Sequence, residues 1–135
     1  IMAWAAVNNE ISLEVIVLYI SAIFWTLGYD TIYGAQDISD DEIIGLKSTS
    51  IKFKENINLF VSFMYLISTL LIFFIFKDEI GYNFFTLLFS LFVLSLVFQI
   101  FMFDKKKKES CLTMFKTNNL SGLIFFLGIL SLNFQ

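Results

Sequence analysis

The sequence predicts an all-α fold, a polytopic bundle of transmembrane helices, and two observations point to this class. Hydrophobic residues make up 58% of the 135 residues and charged residues only 16%, whereas a soluble domain is typically ~45–50% apolar and ~25% charged. The mean hydropathy is +0.79. Because a small domain keeps much of its surface in solvent, we expect the apolar excess to face lipid.

The N-terminal part predicts the end of one helix and one complete span. Residues 1–8 open in an apolar run with no charged segment before it, so we interpret them as a helix tail and not as a signal peptide. The chain is accordingly expected to be a piece of a longer polypeptide. Residues 11–29 form the first complete span, in which Glu14 is the single charge and lies near one end.

Two uncharged runs in the middle of the chain predict a helical hairpin. Residues 57–76 and 80–103 contain no charged side chain, and each supplies the roughly 20 residues that a helix needs to cross a bilayer. Only residues 77–79, all charged, separate the two runs. We therefore expect two antiparallel spans joined by a tight turn.

The last span is predicted at residues 119–134, and the loop before it indicates the orientation. We expect this helix to begin near Asn118 or Asn119, with these amides as caps. The loop 104–116 holds five lysines and two acids, which by the positive-inside rule faces the cytoplasm, or the matrix in a mitochondrial inner membrane. Counting back through the hairpin places residues 30–56 on the same side. The lysines are interpreted as a topology anchor, with attraction of anionic substrate or lipid as the alternative.

The residue composition excludes several classes of function. The chain has no His and one Cys, so a histidine base, a histidine metal site, an internal disulfide and a cysteine zinc site are excluded within it. The net charge is −3. Proteins that bind nucleic acid are typically basic, so no nucleic-acid partner is expected.

Residues 30–56 form the only long polar segment, and its acids are the candidate site. Four acids lie between positions 37 and 42. Asp37 and Asp41 are four residues apart, so on a helix they share one face with their Cβ atoms about 5–6 Å apart. Mg²⁺ would relieve their repulsion, because it binds one or two carboxylates together with water and phosphate oxygens. The structural alternative is a capping box between Ser39 and Glu42, with the acids favoured by the helix dipole.

Three further charged residues complete the candidate set. Asp30 lies seven residues before Asp37, on the same face if the helix is continuous. Lys47 follows Gly45, which can end a helix, and its ammonium can meet phosphate oxygens as a point charge. Asp40 is a candidate substrate-binding residue or alternate metal ligand, with a solvated surface acid as the alternative.

The pattern of this segment is Tyr29-Asp30-Thr31-x-Tyr33-x-x-x-Asp37-x-x-x-Asp41-x-x-x-Gly45-x-Lys47-Ser48-Thr49. It resembles the second aspartate-rich motif of the UbiA superfamily of intramembrane prenyltransferases, most closely the 4-hydroxybenzoate polyprenyltransferase branch. The similarity covers nearly the whole chain and is weakest from Lys52 to Phe103. Outside the motif it is carried by Ala3–Val7, Phe24–Thr26, Cys111–Phe115, Asn118-Asn119 and Gly122–Ile129.

The resemblance implies a nine-helix membrane bundle in which two Asp-rich motifs face each other across a cavity. The first motif is not found in this sequence, so the rest of the same polypeptide is expected to carry it, and these residues alone are expected to be inactive. The implied reaction transfers a polyprenyl group from polyprenyl diphosphate to an aromatic acid acceptor, 4-hydroxybenzoate, in ubiquinone biosynthesis. Membrane lipid is the expected surrounding, in a bacterial or mitochondrial inner membrane.

The resemblance also assigns roles to residues of this sequence. Asp37 and Asp41 would hold one Mg²⁺. Lys47 and Asp40 would bind the diphosphate-bearing substrate. Asp30, with Tyr33 beside it, would accept the ring proton or orient the phenol.

Two alternative functions remain open on the sequence. One is a member of the same family with another acceptor, such as haem, a dihydroxynaphthoate or chlorophyllide, because the same motif would serve. The other is a non-enzymatic membrane subunit or transporter. A transporter is expected to carry ionisable groups inside its spans, and the two long middle spans have none.

Overall fold

The structure is a computed structural model and describes residues 1–134 as an all-helical bundle. No strand occurs among these residues, and single 3₁₀ turns lie at Ala35–Asp37, Lys77–Glu79 and Leu132–Phe134. The α-helices are α1 (Met2–Asn8), α2 (Leu13–Gly34), α3 (Ile38–Ile44), α4 (Thr49–Lys52), α5 (Ile57–Ile75), α6 (Phe84–Met102) and α7 (Lys108–Ser131).

Four helical segments are long and apolar enough to cross a membrane, which confirms the predicted polytopic fold class. They are Leu13–Ile44, Ile57–Ile75, Phe84–Met102 and Lys108–Phe134. Large apolar side chains are exposed along these helices, among them Leu59, Leu94 and Phe126. Because a soluble protein rarely leaves so large an apolar surface in water, these outer faces suit lipid.

Local sequence determines where several of these helices begin and end. The Ser12 hydroxyl accepts a hydrogen bond from the Val15 backbone N–H at the start of α2, and Asn83 caps α6 through the Thr86 N–H in the same way. Helix α3 ends at Gly45, whose φ of 77° is a left-handed conformation that glycine adopts without a Cβ clash.

The bundle is held by a chain of packed helices around an aromatic core. Helix α2 packs along α5 and also contacts α7, while α6 packs on α7. Phe85, Phe92 and Leu96 of α6 are almost fully buried, and Phe125 of α7 lies with its ring centroid 5.0 Å from that of Phe92. Helices α2 and α5 approach closely because Gly28 lies against the Tyr65 ring, where a Cβ would overlap it.

A buried polar chain connects three of the spans. The Tyr65 hydroxyl donates to Gln99 Oε1 (2.8 Å), and Gln99 Nε2 donates to the Ser121 hydroxyl (2.9 Å). The Ser95 hydroxyl also donates to Ser121 Oγ, at 2.8 Å. These bonds join α5, α6 and α7 through the bundle interior, where an unpaired polar group would be costly.

The last two spans begin at other residues than the sequence indicated. Helix α6 begins at Phe84, and residues 80–83 precede it. Helix α7 begins at Lys108 instead of near 119, because Cys111 and Met114 provide an apolar face that buries against the bundle. Asn118 and Asn119 therefore lie inside α7 and do not cap it.

Candidate active site

The acidic segment is fixed to the bundle by hydroxyl groups on α2 and α4. The Thr31 and Thr49 hydroxyls are 2.7 Å apart and share a hydrogen bond. The Ser50 hydroxyl donates to the Thr31 carbonyl oxygen at 3.0 Å, and a Cβ at Gly34 would collide with that hydroxyl. Thr49, which belongs to the sequence motif, and Ser50, which follows the motif, thus dock α4 against the end of α2.

A lysine from the last helix joins two of the acids. Lys108 Nζ lies 3.2 Å from Asp37 Oδ1 and 3.1 Å from Asp40 Oδ2. Asp37 ends the 3₁₀ turn after α2, Asp40 lies in the first turn of α3, and Lys108 is the first residue of α7. The predicted placement of the acidic segment and the lysine-rich loop at one end of the bundle agrees with this contact. The membrane face to which that end points stays a prediction.

In the structure Asp37 and Asp40 share a contact with Lys108. The sequence spacing had instead suggested that Asp37 and Asp41 act together. The expectation placed Asp37 and Asp41 on one helix, but Asp37 belongs to the 3₁₀ turn after α2, and α3 begins only at Ile38. A 3₁₀ turn has about 3.0 residues per turn instead of 3.6, so the residues after it point in other directions than they would in a continuous α-helix. Asp41 lies in the first turn of α3 with its side chain half-buried, and it makes no ion pair within residues 1–134.

The donor set suits a hard cation that is shared with phosphate oxygens. Among the described residues, no group of three or more Asp, Glu or Cys side chains is placed to hold a metal ion. Two carboxylates, Asp37 and Asp40, do converge on one positively charged atom, Lys108 Nζ. The ammonium shows that the two acids can share one positive charge, as they would share a metal ion. Mg²⁺ characteristically takes one or two carboxylates and completes its shell with water and substrate phosphate.

A second ion pair ties the loops together beside the first. Lys54 Nζ donates to Glu42 Oε1 at 2.6 Å, and Lys105 Nζ donates to the Lys54 carbonyl oxygen at 2.6 Å. The hydrogen bond to Glu42, with its opposite charge, raises the pKa of the Lys54 ammonium above its usual 10.5. The predicted capping box is not formed, because Ser39 lies inside α3 and Glu42 is turned toward Lys54 instead.

These charged residues line a cleft of about 400 Å³. Four lysines and two glutamates contribute to its walls: Lys54, Lys105, Lys106, Lys108, Glu42 and Glu55. The lysines outnumber the acids of the lining, so the cleft favours an anion over a cation. The acids Asp37 and Asp40 adjoin it through Lys108.

The remaining predicted residues lie apart from this ion-pair cluster. Asp30 and Lys47 are exposed, and neither side chain forms a hydrogen bond or an ion pair within residues 1–134. Tyr33 is 44% exposed, and its ring centroid lies 4.7 Å from that of Phe115 on α7. Phe115 also contacts Tyr29, at 5.9 Å between centroids. An aromatic wall thus extends along α2 and α7, and Asp30 follows its first residue, Tyr29, in the chain.

Sequence reasoning missed two contributors to the site from α7. Lys108 was interpreted as one of several equivalent anchoring lysines, and Phe115 was noted only as part of a resemblance. Their partners on α2 and α3 lie far away in the sequence, 71 residues for Lys108 and Asp37. Nothing in the local pattern distinguishes Lys108 from its neighbours.

A bundle of long apolar helices that carries an acid-rich motif at one end defines an integral membrane protein with a polar site at the membrane surface. The chain belongs to the UbiA prenyltransferase family, whose family model matches residues 1–129. The resemblance inferred from the motif is thereby confirmed.

Curated relatives match 96% of this chain. It is 36% identical to "4-hydroxybenzoate polyprenyltransferase, mitochondrial" of Bos taurus, of which it covers 35%. It is 35% identical to "4-hydroxybenzoate octaprenyltransferase" of Edwardsiella ictaluri and 32% identical to the protein of that name from Histophilus somni, covering 45% of each. The chain therefore spans less than half the length of these relatives. No solved structure matches it at a significant level.

Proposed function

We propose that the protein containing these residues transfers a polyprenyl group from polyprenyl diphosphate to 4-hydroxybenzoate, in the pathway to ubiquinone. The names of the relatives support the donor and acceptor classes. The structural observation that carries the proposal is the convergence of Asp37 and Asp40 on one positive atom, at the polar end of an apolar bundle. A site of this kind suits a lipid whose diphosphate is polar and whose chain is apolar.

The proposed chemistry begins with loss of diphosphate from the prenyl carbon. Its carbon–oxygen bond breaks, and the electron pair leaves with the diphosphate oxygen. Asp37 and Asp41 would hold Mg²⁺, which when bound offsets the negative charge that develops on the departing group. Asp40 would act as an alternate ligand of that cation and through it help to position the diphosphate, and the Lys47 ammonium would serve as a further point charge.

The second half of the reaction forms a carbon–carbon bond on the aromatic ring. The allylic carbon is attacked by the ring carbon ortho to the phenol oxygen, and that ring carbon then loses a proton. We assign the proton to Asp30, whose exposed carboxylate lies near the start of the aromatic wall. Tyr33 and Phe115 would exclude water from this side and offer ring faces that favour a cation.

The surrounding membrane and its orientation belong to the same proposal. The site would face the cytoplasm of a bacterium or the matrix of a mitochondrion, with the inner membrane around the bundle. The five lysines between positions 104 and 116, at the start of α7 and just before it, support this orientation. The first Asp-rich motif would come from the rest of the polypeptide.

The test uses the intact protein in membranes, with polyprenyl diphosphate and radiolabelled 4-hydroxybenzoate, with and without Mg²⁺. Mg²⁺-dependent formation of a lipid-soluble aromatic product is expected. Asp37→Asn and Asp41→Asn should each lower the rate by about 10²-fold or more, the scale seen when electrostatic stabilisation of a transition state is lost. Glu55→Gln is the matched control, because Glu55 lines the same cleft but has no assigned role.

Three results would contradict parts of this proposal. Turnover that is unchanged in Asp37→Asn or Asp41→Asn removes the metal assignment. Pyrophosphate release with a different acceptor, and none with 4-hydroxybenzoate, keeps the reaction class and rejects the acceptor. No reaction with any acceptor, in protein shown to be correctly inserted, rejects the enzymatic function.

A further inference from the structure

The Lys108 ammonium lies between the Asp37 and Asp40 carboxylates, which is where a divalent cation would find its negative ligands. Its ammonium bridges Asp37 and Asp40, and it comes from a helix that begins 71 residues after Asp37. The proposed function assigns Asp37 to the metal. Because an ammonium and a divalent cation repel each other, a metal bound at Asp37 weakens or displaces the Lys108 contact.

Lys108 is distinct from the other lysines of its run. Lys107 Nζ lies 3.8 Å from Asp104 of its own loop, and Lys105 Nζ donates to the Lys54 carbonyl oxygen. The Lys106 contact to Asp104 is made by its backbone N–H. Within residues 1–134, Lys108 is the member of the run whose ammonium reaches the acidic segment.

We propose that Lys108 is a placeholder cation that couples metal binding to diphosphate binding; this inference rests on the proposed function. Without metal, the ammonium offsets the repulsion between Asp37 and Asp40. When a divalent cation takes these carboxylates, the ammonium loses both partners. It already lines the cleft with Lys54, Lys105 and Lys106, and a diphosphate there provides its new counter-ion.

The coupling has a sign that can be measured. A metal that binds alone weakens the Lys108 contacts and meets the repulsion of its ammonium, so Lys108 opposes it. A diphosphate that binds in the presence of metal gains the freed ammonium, so Lys108 favours it. The metal therefore raises the affinity for diphosphate, and by linkage the diphosphate raises the affinity for the metal by the same factor. The placeholder thus disfavours a half-filled site that holds metal without substrate.

Two binding measurements on the intact protein test this coupling. Nanodiscs of neutral phosphatidylcholine are used, because anionic headgroups would compete for the cleft. The first measurement is Mn²⁺ binding without diphosphate, followed by electron paramagnetic resonance. The second is binding of a non-reactive prenyl thiolodiphosphate at saturating Mg²⁺. Lys108→Met should bind Mn²⁺ about threefold more tightly and the analogue about threefold more weakly, on the scale of an exposed ion pair. Lys107→Met, the matched control, should change neither.

The opposite signs of the two changes distinguish a placeholder from a structural lysine. A purely structural role predicts that both affinities fall in Lys108→Met, and this result would overturn the inference. So would identical behaviour of Lys108→Met and Lys107→Met, provided that the unmodified protein binds Mn²⁺ and Asp37→Asn does not. Absence of Mn²⁺ binding in the unmodified protein, with and without the analogue, instead rejects the proposed metal site and the placeholder together.

Discussion

The indole Nε1 of Trp25 donates a hydrogen bond to Asn118 Oδ1 over 2.8 Å and so joins α2 to α7. The two residues are 93 positions apart in the sequence. Trp25 also contacts Phe92 and Phe125, with ring centroids 5.1 and 6.3 Å away. One side chain thus combines a polar contact with the aromatic core of the bundle. The hydrogen bond holds α7 beside α2, where Phe115 and Lys108 meet the site.

The first prediction concerns this hydrogen bond. Asn118→Ala should lower the free energy of unfolding by about 1–2 kcal/mol, because it leaves a half-buried indole N–H without its acceptor. Thermal unfolding in detergent micelles measures the effect. Asn119→Ala is the control, since Asn119 is exposed on the same helix turn. Equal losses in the two variants would show that helix propensity, and not the indole contact, sets the cost.

The second prediction concerns the close approach of α2 and α5. Gly28→Ala should destabilise the bundle by about 1–3 kcal/mol, because the new methyl group overlaps the Tyr65 ring. Gly122→Ala is the matched control: its Cβ would meet Trp25 at 3.5 Å, an ordinary contact. Alanine there should be neutral or stabilising, since it is the better helix former. Tyr65→Leu removes the clashing ring together with its bond to Gln99. Gly28→Ala combined with Tyr65→Leu should therefore cost less than the sum of the two single changes, and strict additivity would refute the clash.

The third prediction concerns the buried polar chain. Gln99→Leu removes both the acceptor of the Tyr65 hydroxyl and the donor to Ser121. We expect a loss of about 1 kcal/mol, the typical net contribution of such bonds in membrane helices. Adding Tyr65→Phe to Gln99→Leu should restore stability, because it removes the orphaned hydroxyl. Reversible unfolding in mixed micelles checks both variants, and a further loss in the double variant would contradict the account.

The fourth prediction concerns the pKa of Lys54. In a ¹³C-methyl-lysine titration, Lys54 should titrate above 10.5. Glu42→Gln should lower this pKa, because it removes the hydrogen bond and the charge that raise it. Glu55→Gln should lower it by less, because Glu55 contributes only through a weaker charge interaction. Since the folded-state pKa is the higher one, this ion pair stabilises the fold below pH ~10.4 and is lost as the pH rises through the folded-state value. An unchanged pKa in Glu42→Gln would exclude the ion pair in solution.

The apolar runs were sufficient to predict the helical spans, because a run of about 20 uncharged residues has few structural alternatives. The start of α7 was not predictable in this way. Residues 108–118 mix buried Cys111 and Met114 with exposed Lys116, and their low hydropathy concealed a helix that packs on one face only. The 3₁₀ turn at Ala35–Asp37 was missed because these three residues include neither Gly nor Pro.

The motif identified the site segment and the family, but it did not indicate which groups meet. Asp37 and Asp40 both contact Lys108, and these contacts depend on how α7 docks on α2. Docking of this kind is decided by tertiary contacts, such as the bond from Trp25 to Asn118. The roles of Asp30, Tyr33, Asp41 and Lys47 stay predictions.

The hydroxyl and amide groups that connect Tyr65, Gln99 and Ser121 also bear on how the bundle assembles. Helices that enter a bilayer one after another are free to rotate about their long axes until they meet. Leucine and phenylalanine surfaces tolerate many such rotations. Bonds among three fixed positions on α5, α6 and α7 are satisfied by one set of rotations only. The polar chain therefore favours one set of rotations, and in that arrangement Lys108 reaches the acidic segment.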